Sequence, residues 1–172
     1  MFKIVRIPQQ SPVIEQGENE LMEIEKNCFF PEVQEAWESK KKLLQSAISC
    51  FFAYVDGKIV GEAYTITKNA IREGNAYQKD QENFNHLISM MTDRDVYLCS
   101  FGVLPHYNGK GIGRALISNI IVDTFDKGYV MGYAYAHEGV AEHICKKFHG
   151  KIISEHTNWF GAEKTRVLYK IG

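Results

Sequence analysis

Apolar and basic residues alternate over residues 2–7, in step with the two-residue period of a strand, and Pro8 stops the run. Residues 18–30 change to a helical spacing, with Leu21, Met22 and Ile24 on a short apolar face. Pro31 suits the start of a second helix over residues 32–47, whose partial stripe is Val33, Ala36, Trp37, Leu43 and Leu44. Two β-rich runs, residues 50–55 and 58–66, then flank Asp56-Gly57. That dipeptide predicts a tight hairpin, because both of its central turn residues need positive φ.

Residues 74–94 turn polar around an apolar kernel of Phe84, Leu87, Ile88, Met90 and Met91, predicting a connection with one short helix, either a lid or a plain insertion. Strand character returns over residues 96–103. Residues 115–125 then form a helix, with Leu116 and Ile120 in one row and Ile117, Ile121 and Phe125 in the next. Lys127-Gly128 supplies a basic last turn and a terminating glycine. A strand over 129–136, a helix over 138–149, a strand beginning at 151–153 and a last strand over 165–171 complete the chain. The predicted order is β-α-α-β-β-connection-β-α-β-α-β-β, without internal repeat or low-complexity linker.

The length of 172 residues fits one domain over 1–172, and 45% hydrophobic with 24% charged residues excludes collagen-like, disordered and coiled-coil chains. Twenty Lys and Arg against 21 Asp and Glu give a net charge of −1, which argues against a nucleic-acid partner. The dense basic run Lys40-Lys41-Lys42, close to Glu35 and Glu38, reads as a solvated helix face. The cysteines Cys28, Cys50, Cys99 and Cys145 form no CxxC pair, so neither a zinc ribbon nor a dithiol redox site is expected. Their apolar surroundings suit free thiols in a reducing compartment. No signal-peptide core is present, and no apolar run approaches the ~20 residues that cross a bilayer. A cytoplasmic protein without membrane association, monomer or homodimer, is expected.

The chemistry concentrates where the strand over 96–103 runs through Leu104-Pro105-His106-Tyr107 into Asn108-Gly109-Lys110-Gly111-Ile112-Gly113-Arg114 and directly into a helix. Glycines let a ligand approach the backbone closely. A helix start offers unpaired N–H groups and the positive end of the macrodipole. With Lys110 and Arg114 nearby, these features predict a phosphate or pyrophosphate site between Gly109 and Arg114. A Walker A loop fails at Leu104 and Gly111, and the dinucleotide fingerprint fails at Arg114.

The segment from Val103 through Pro105 to Gly109, Gly111, Gly113 and Leu116 resembles the acyl-CoA-binding signature of the GNAT superfamily of N-acetyltransferases. Asn108 stands where that family usually has Gln or Arg. The resemblance extends to the element order and to a second signature over residues 138–150, where Ala141, Ile144 and Lys147 fit and Glu138 replaces an Asn. It implies an α/β (α+β) fold: a mixed, mostly antiparallel central sheet of about seven strands flanked by about four helices. It further implies acetyl-CoA as co-substrate, an unidentified primary amine of a small molecule or peptide as acceptor, and direct attack in a ternary complex.

In the family the signature strand splays from its neighbour at a bulge. That places Phe101, Gly102 and Val103 along the pantetheine arm, with Gly102 as the bulge residue and the Val103 amide polarising the thioester. Gly109, Lys110, Gly111, Ile112, Gly113 and Arg114 hold the pyrophosphate, and Asn108 and Lys147 join the cofactor-binding set. Cys145 falls where many members carry the tyrosine that protonates the departing thiolate; a small core residue is the other reading. Candidates for the general base are Glu62, Tyr97 and Glu138, with Asp95 and His137 beside them. Tyr133, Tyr135, Trp159 and Phe160 line an acceptor pocket or pack in the core. No metal is expected, since the HExxH pattern begun by His137-Glu138 fails at Ala141. A non-catalytic acyl-CoA-binding or interaction module on the same fold is the alternative.

Overall fold

The computed structural model describes residues 1–31, 33–137, 140–147, 149–156 and 166–171. Seven strands form one sheet: β1 (Lys3–Arg6), β2 (Ser49–Val55), β3 (Lys58–Ile66), β4 (Asp95–Val103), β5 (Met131–His137), β6 (Lys151–His156) and β7 (Arg166–Ile171). Their spatial order is β1-β2-β3-β4-β5-β7-β6, and only the β4–β5 pair is parallel among the described residues. The mixed, mostly antiparallel α/β sheet is as the sequence predicts. At the β2–β3 turn Asp56 and Gly57 adopt φ of 50° and 80°, the conformation that a two-residue hairpin requires.

The helices are α1 (Pro12–Gln16), α2 (Glu18–Cys28), α3 (Trp37–Gln45), α4 (Asn75–Lys79), α5 (Gln81–Met90), α6 (Ile112–Asp126) and α7 (Val140–Lys147). They outnumber the four expected because short α1 precedes α2 and the polar connection holds two helices, α4 and α5. The connection is anchored in the core: Phe84 and Leu87 are buried, and Phe84 meets Tyr97 and Tyr135 edge to face.

Helix α2 packs on β3 and β4, whereas α6 lies on the opposite face across β2, β3 and β4. Neighbouring residues of β3 show the division. A Cβ on Gly61 would touch Leu116 of α6, while Glu62 turns to the side of α2 and α3. The main core joins Leu21, Ile24, Leu43 and Leu44 of α2 and α3 to Phe52, Tyr64 and Ile66 of the sheet. A smaller cluster of Ala134, Cys145 and Tyr169 lies where α7 covers β5 and β7.

Two local expectations are corrected. The second helix begins at Trp37 rather than near Pro31, and Glu32 lies outside the described residues. The backbone is drawn out of helical geometry there because the Glu35 N–H donates to the Glu25 carboxylate (2.8 Å). Lys40 is not on a solvated face: its side chain is fully buried between Glu25 and Glu62. Its neighbour Lys41 does pair with Glu15 at the surface. No helix among the described residues is long and apolar enough to cross a membrane.

Candidate active site

Strand β4 and the loop behind it organise the site. β4 pairs with β5 only over Asp95–Tyr97 against Met131–Tyr133, yet it continues to Val103 alongside β3. The sheet therefore opens beyond Tyr97. Opposite the Tyr64–Thr65 step the β3–β4 register shifts: Tyr64 faces Ser100 and Thr65 faces Leu98, which leaves Cys99 as the extra residue. Gly102 is thus not the bulge residue. It sits in regular pairing with Glu62, and its lack of a side chain serves close packing. A Cβ there would come within 2.9 Å of Ile24 Cγ2 and 3.1 Å of Cys28 Cβ on α2.

Leu104 N–H donates to Val60 O (2.9 Å), which sets the phase of the antiparallel ladder. The Val103 and Phe101 amides consequently face away from β3, towards the side where β5 has diverged. The Val103 carbonyl accepts a hydrogen bond from Cys28 Sγ (3.3 Å). Burial and the nearby Glu62 carboxylate push that thiol up to about 11.

Past Val103 the chain makes a 3₁₀ turn over Pro105–Tyr107 and reaches the glycine loop. Gly109 and Gly111 adopt φ of 76° and 82°, and a Cβ on either would meet nothing within 4 Å. Positive φ is what demands glycine at these two positions. Gly113 differs, for α6 begins at Ile112 instead of near 115 and takes Gly113 and Arg114 into its first turn. No side chain caps this helix and no acidic residue lies in its first turn, so its amides and dipole keep their attraction for an anion. Ile112 is buried beneath the turn; Asn108, Lys110 and Arg114 are exposed around it. The Lys110 ammonium lies 4.8 Å from the Tyr107 ring centroid.

A cleft of about 280 Å³ passes through the opening between β4 and β5. On the α6–α7 side it reaches Asn108, Ile117 and Cys145. On the α2 side it reaches Glu25, Cys28, Glu35, Tyr77 and Phe84. Cys145 is buried, and burial pushes its thiol up to about 12. Tyr97 is buried against Phe84 and Tyr135, and it too lines the cleft. Asp95 is buried but occupied, accepting the Thr92 N–H (2.7 Å) in the turn before β4. Tyr133 packs in the core beneath the Lys170 ammonium.

Glu62 belongs to a buried charged network that sequence reading missed. Lys40 Nζ donates to Glu25 Oε2 (2.6 Å) and to Glu62 Oε1 (2.5 Å). Ser100 Oγ donates to the same Glu62 oxygen (2.6 Å). Glu62 Oε2 is buried without a hydrogen-bond partner among the described residues. Burial opposes the charge on Lys40, but Glu62 and Glu25 hold it above the usual lysine range. Glu62 is itself shifted up, first by burial and also by the like charge of Glu25, against the pull of Lys40.

Glu35 continues the network outward. It accepts Ser39 Oγ (2.6 Å) and the Asn75 (2.8 Å) and Ala76 (3.1 Å) amides at the start of α4. Glu25, Lys40, Ser100 and Glu35 carried no motif. Their only sequence signal was a lysine three residues past Trp37 on a helix whose other face is apolar.

Glu138, Trp159 and Phe160 lie outside the described residues, as do the side chains of His137 and Lys147; the Lys147 backbone ends α7. No group of three or more His, Cys, Asp and Glu is placed to hold a metal ion among the described residues.

Comparison with known proteins agrees with this geometry. The model of the acetyltransferase (GNAT) family matches residues 18–151. A search of curated protein sequences finds no significant match. Among solved structures, the ribosomal-protein-S18-alanine N-acetyltransferase from Escherichia coli is similar at a TM-score of 0.68, with 13% identity over 99% of this chain and 93% of that one. The Drosophila melanogaster polyamine N-acetyltransferase, which forms N-acetylagmatine, gives 0.67 with 13% identity over 99% of both chains. A GNAT acetyltransferase from Elizabethkingia anophelis with acetyl-CoA bound gives 0.61 with 12% identity, over 99% of this chain and 97% of that one. At such identities the structural likeness is one of fold, and it is the sequence match over residues 18–151, laid on the opened β4–β5 pair and the glycine loop, that shows this chain to belong to the GNAT acetyltransferase family.

Proposed function

We propose that the protein transfers an acetyl group from acetyl-CoA to a primary amine of a small molecule or peptide, by direct attack in a ternary complex. The observation that carries this reading is the opening of the sheet between β4 and β5 directly beside the uncapped start of α6. The residues fit an acyl-CoA. Open space at Gly109 and Gly111, the first-turn amides of α6, and the cations Lys110 and Arg114 suit a pyrophosphate. The cleft leads from that loop along Phe101, Gly102 and Val103. When bound, the thioester supplies the activated acetyl group.

The remaining roles fall to the chain. The Val103 amide, turned to the opened side, is aimed to stabilise charge developing on a carbonyl oxygen. Glu62 is the base: burial brings its carboxyl towards the operating pH, where proton acceptance is effective. It is shut off from solvent, so the Ser100 hydroxyl, which lines the cleft and donates to Glu62, passes the proton inward. The Cys145 thiol keeps its proton at neutral pH, as a donor must. Burial nevertheless makes it a weaker acid than a free thiol near 8.5, so proton return to a leaving thiolate is uphill there.

Calorimetric titration with acetyl-CoA and CoA, followed by an assay of thiol release over an amine panel, tests the reading. Saturable binding with turnover of at least one amine is expected. Replacement of Gly111 by Val forces a β-branched residue to φ 82° and should weaken acetyl-CoA binding at least tenfold. Absence of binding by the folded protein would overturn the assignment.

A further inference from the structure

Behind the Ser100 hydroxyl that lines the cleft lie the buried charges of Glu62, Lys40 and Glu25. The Lys40 ammonium donates to Glu25 Oε2 (2.6 Å) and to Glu62 Oε1 (2.5 Å). The two carboxylates are served unequally. Both oxygens of Glu25 accept, Oε1 from the Glu35 N–H (2.8 Å) and Oε2 from Lys40. Glu62 receives Lys40 and Ser100 on the same oxygen, Oε1, while Oε2 is buried without a hydrogen-bond partner among the described residues. A buried carboxylate with one unserved oxygen is poorly stabilised as an anion, so a proton that enters the group settles on Glu62.

The charge balance acts in the same direction. With both carboxylates ionised, Glu25, Lys40 and Glu62 carry a net negative charge in the core, and one added proton makes them neutral. Burial raises the Glu62 carboxyl, Lys40 draws it down, and the like charge of Glu25 raises it again. The other titratable groups around it are Cys28 of α2, Cys50 of β2, Tyr64 of β3 and Cys99 of β4. Burial pushes all four up, which keeps them uncharged at neutral pH. Glu35, which acts on Tyr64 and Cys99, is engaged by Ser39 and the α4 amides. From α6 on the opposite face, Lys127 acts on Cys50 but is held by Asp123.

Resting on the transferase reading with Glu62 as its base, we propose that Glu25 and Lys40 are positioning residues that set the proton affinity of that base. Glu25 makes Glu62 basic enough to take a proton from the acceptor ammonium, and Lys40 keeps the carboxylate ionised between turnovers. In the step itself an N–H bond of the ammonium breaks as its proton goes to Ser100 Oγ. The Ser100 hydroxyl proton passes to Glu62 Oε1, and the nitrogen keeps the electron pair with which it attacks.

The test compares the full chain with Glu25→Gln, Lys40→Met and Glu62→Gln by two readouts. One is carboxyl-carbon NMR of the glutamates in the unliganded protein. The other is the pH profile of kcat/KM with acetyl-CoA and whichever of agmatine, phenethylamine, spermidine and an alanine-terminated peptide the parent chain turns over. The resonance that Glu62→Gln removes is expected to titrate lower in Glu25→Gln and higher in Lys40→Met, by about one pH unit or more each way. The acid limb of kcat/KM should move with it. Slower turnover in both variants with neither resonance nor limb displaced, as structural damage alone would give, overturns the inference and leaves the transferase reading intact. A resonance that moves while the limb stays does the same, because Glu62 is then not the base. Acetyl-CoA binding without turnover of any amine would overturn both. Should Lys40→Met fail to fold, Glu25→Gln decides alone, since it keeps the Lys40–Glu62 pair.

Discussion

Lys40 is fully buried, and its ammonium is what permits Glu25 and Glu62 to be buried with it. Because partner charges hold its folded pKa above the unfolded value near 10.4, this contribution is complete at neutral pH and fades only as alkali titrates the folded lysine. Lys40→Met should lower unfolding free energy in urea by about 3–5 kcal/mol, since two buried carboxylates lose their cation. The deficit should shrink as pH falls and the Glu62 carboxyl, already shifted up by burial, takes up a proton, and a pH-independent deficit would contradict the ion pairing. At Gly102, alanine would press on Ile24 and Cys28, so Gly102→Ala is expected to cost about 1–3 kcal/mol by the same measurement. The loop glycines and Lys40 were read differently in the sequence for a physical reason. Gly109 and Gly111 announce themselves through a local pattern, because positive φ is a property of the residue itself. Lys40 sits in a basic run, and only the approach of β3 and α2 turns a surface-like lysine into a buried one.

At the scale of elements, α6 is tied to the edge of the sheet through Asp123. Its carboxylate accepts from Arg6 of β1 (2.8 Å), Ser49 of β2 (2.6 Å) and Lys127 (2.5 Å). Burial works to raise this carboxyl, but Lys127, Ser49 and Arg6 hold it below the usual aspartate value. Its contribution is therefore present above the unfolded pKa near 3.9 and is lost as pH falls through the lower folded value. Asp123→Asn should cost about 1 kcal/mol at pH 7 in thermal or urea unfolding. As pH falls through the lowered folded value the difference from the parent chain should shrink; a deficit independent of pH would point to packing instead of charge. The strands and the hairpin were legible from alternation and the Asp-Gly turn. The late start of α3 was not, since a side chain ten residues upstream captures the Glu35 amide.

For the whole molecule, the site spans both faces of the sheet, so acyl-CoA binding should be felt globally. Acetyl-CoA at a hundredfold excess over its Kd is expected to raise unfolding free energy by about 2.7 kcal/mol. Gly111→Val should cut that gain to about half or less at the same ligand concentration while keeping the cooperative transition; a shift as large as that of the parent chain would remove the loop from the binding site.

The amino-acid sequence by itself determined the order of elements, the glycine loop entering α6 and the family resemblance, because each rests on residues close together in the chain. The tertiary structure alone decided where β4 parts from β5, that Cys99 rather than Gly102 occupies the bulge, and that Lys40 lies between Glu25 and Glu62. Those outcomes depend on which strands and helices come to lie side by side. Burial then sets the charge balance of a cleft whose walls come from α2, α4, α5 and β4 together, and no stretch of the chain contains that information alone.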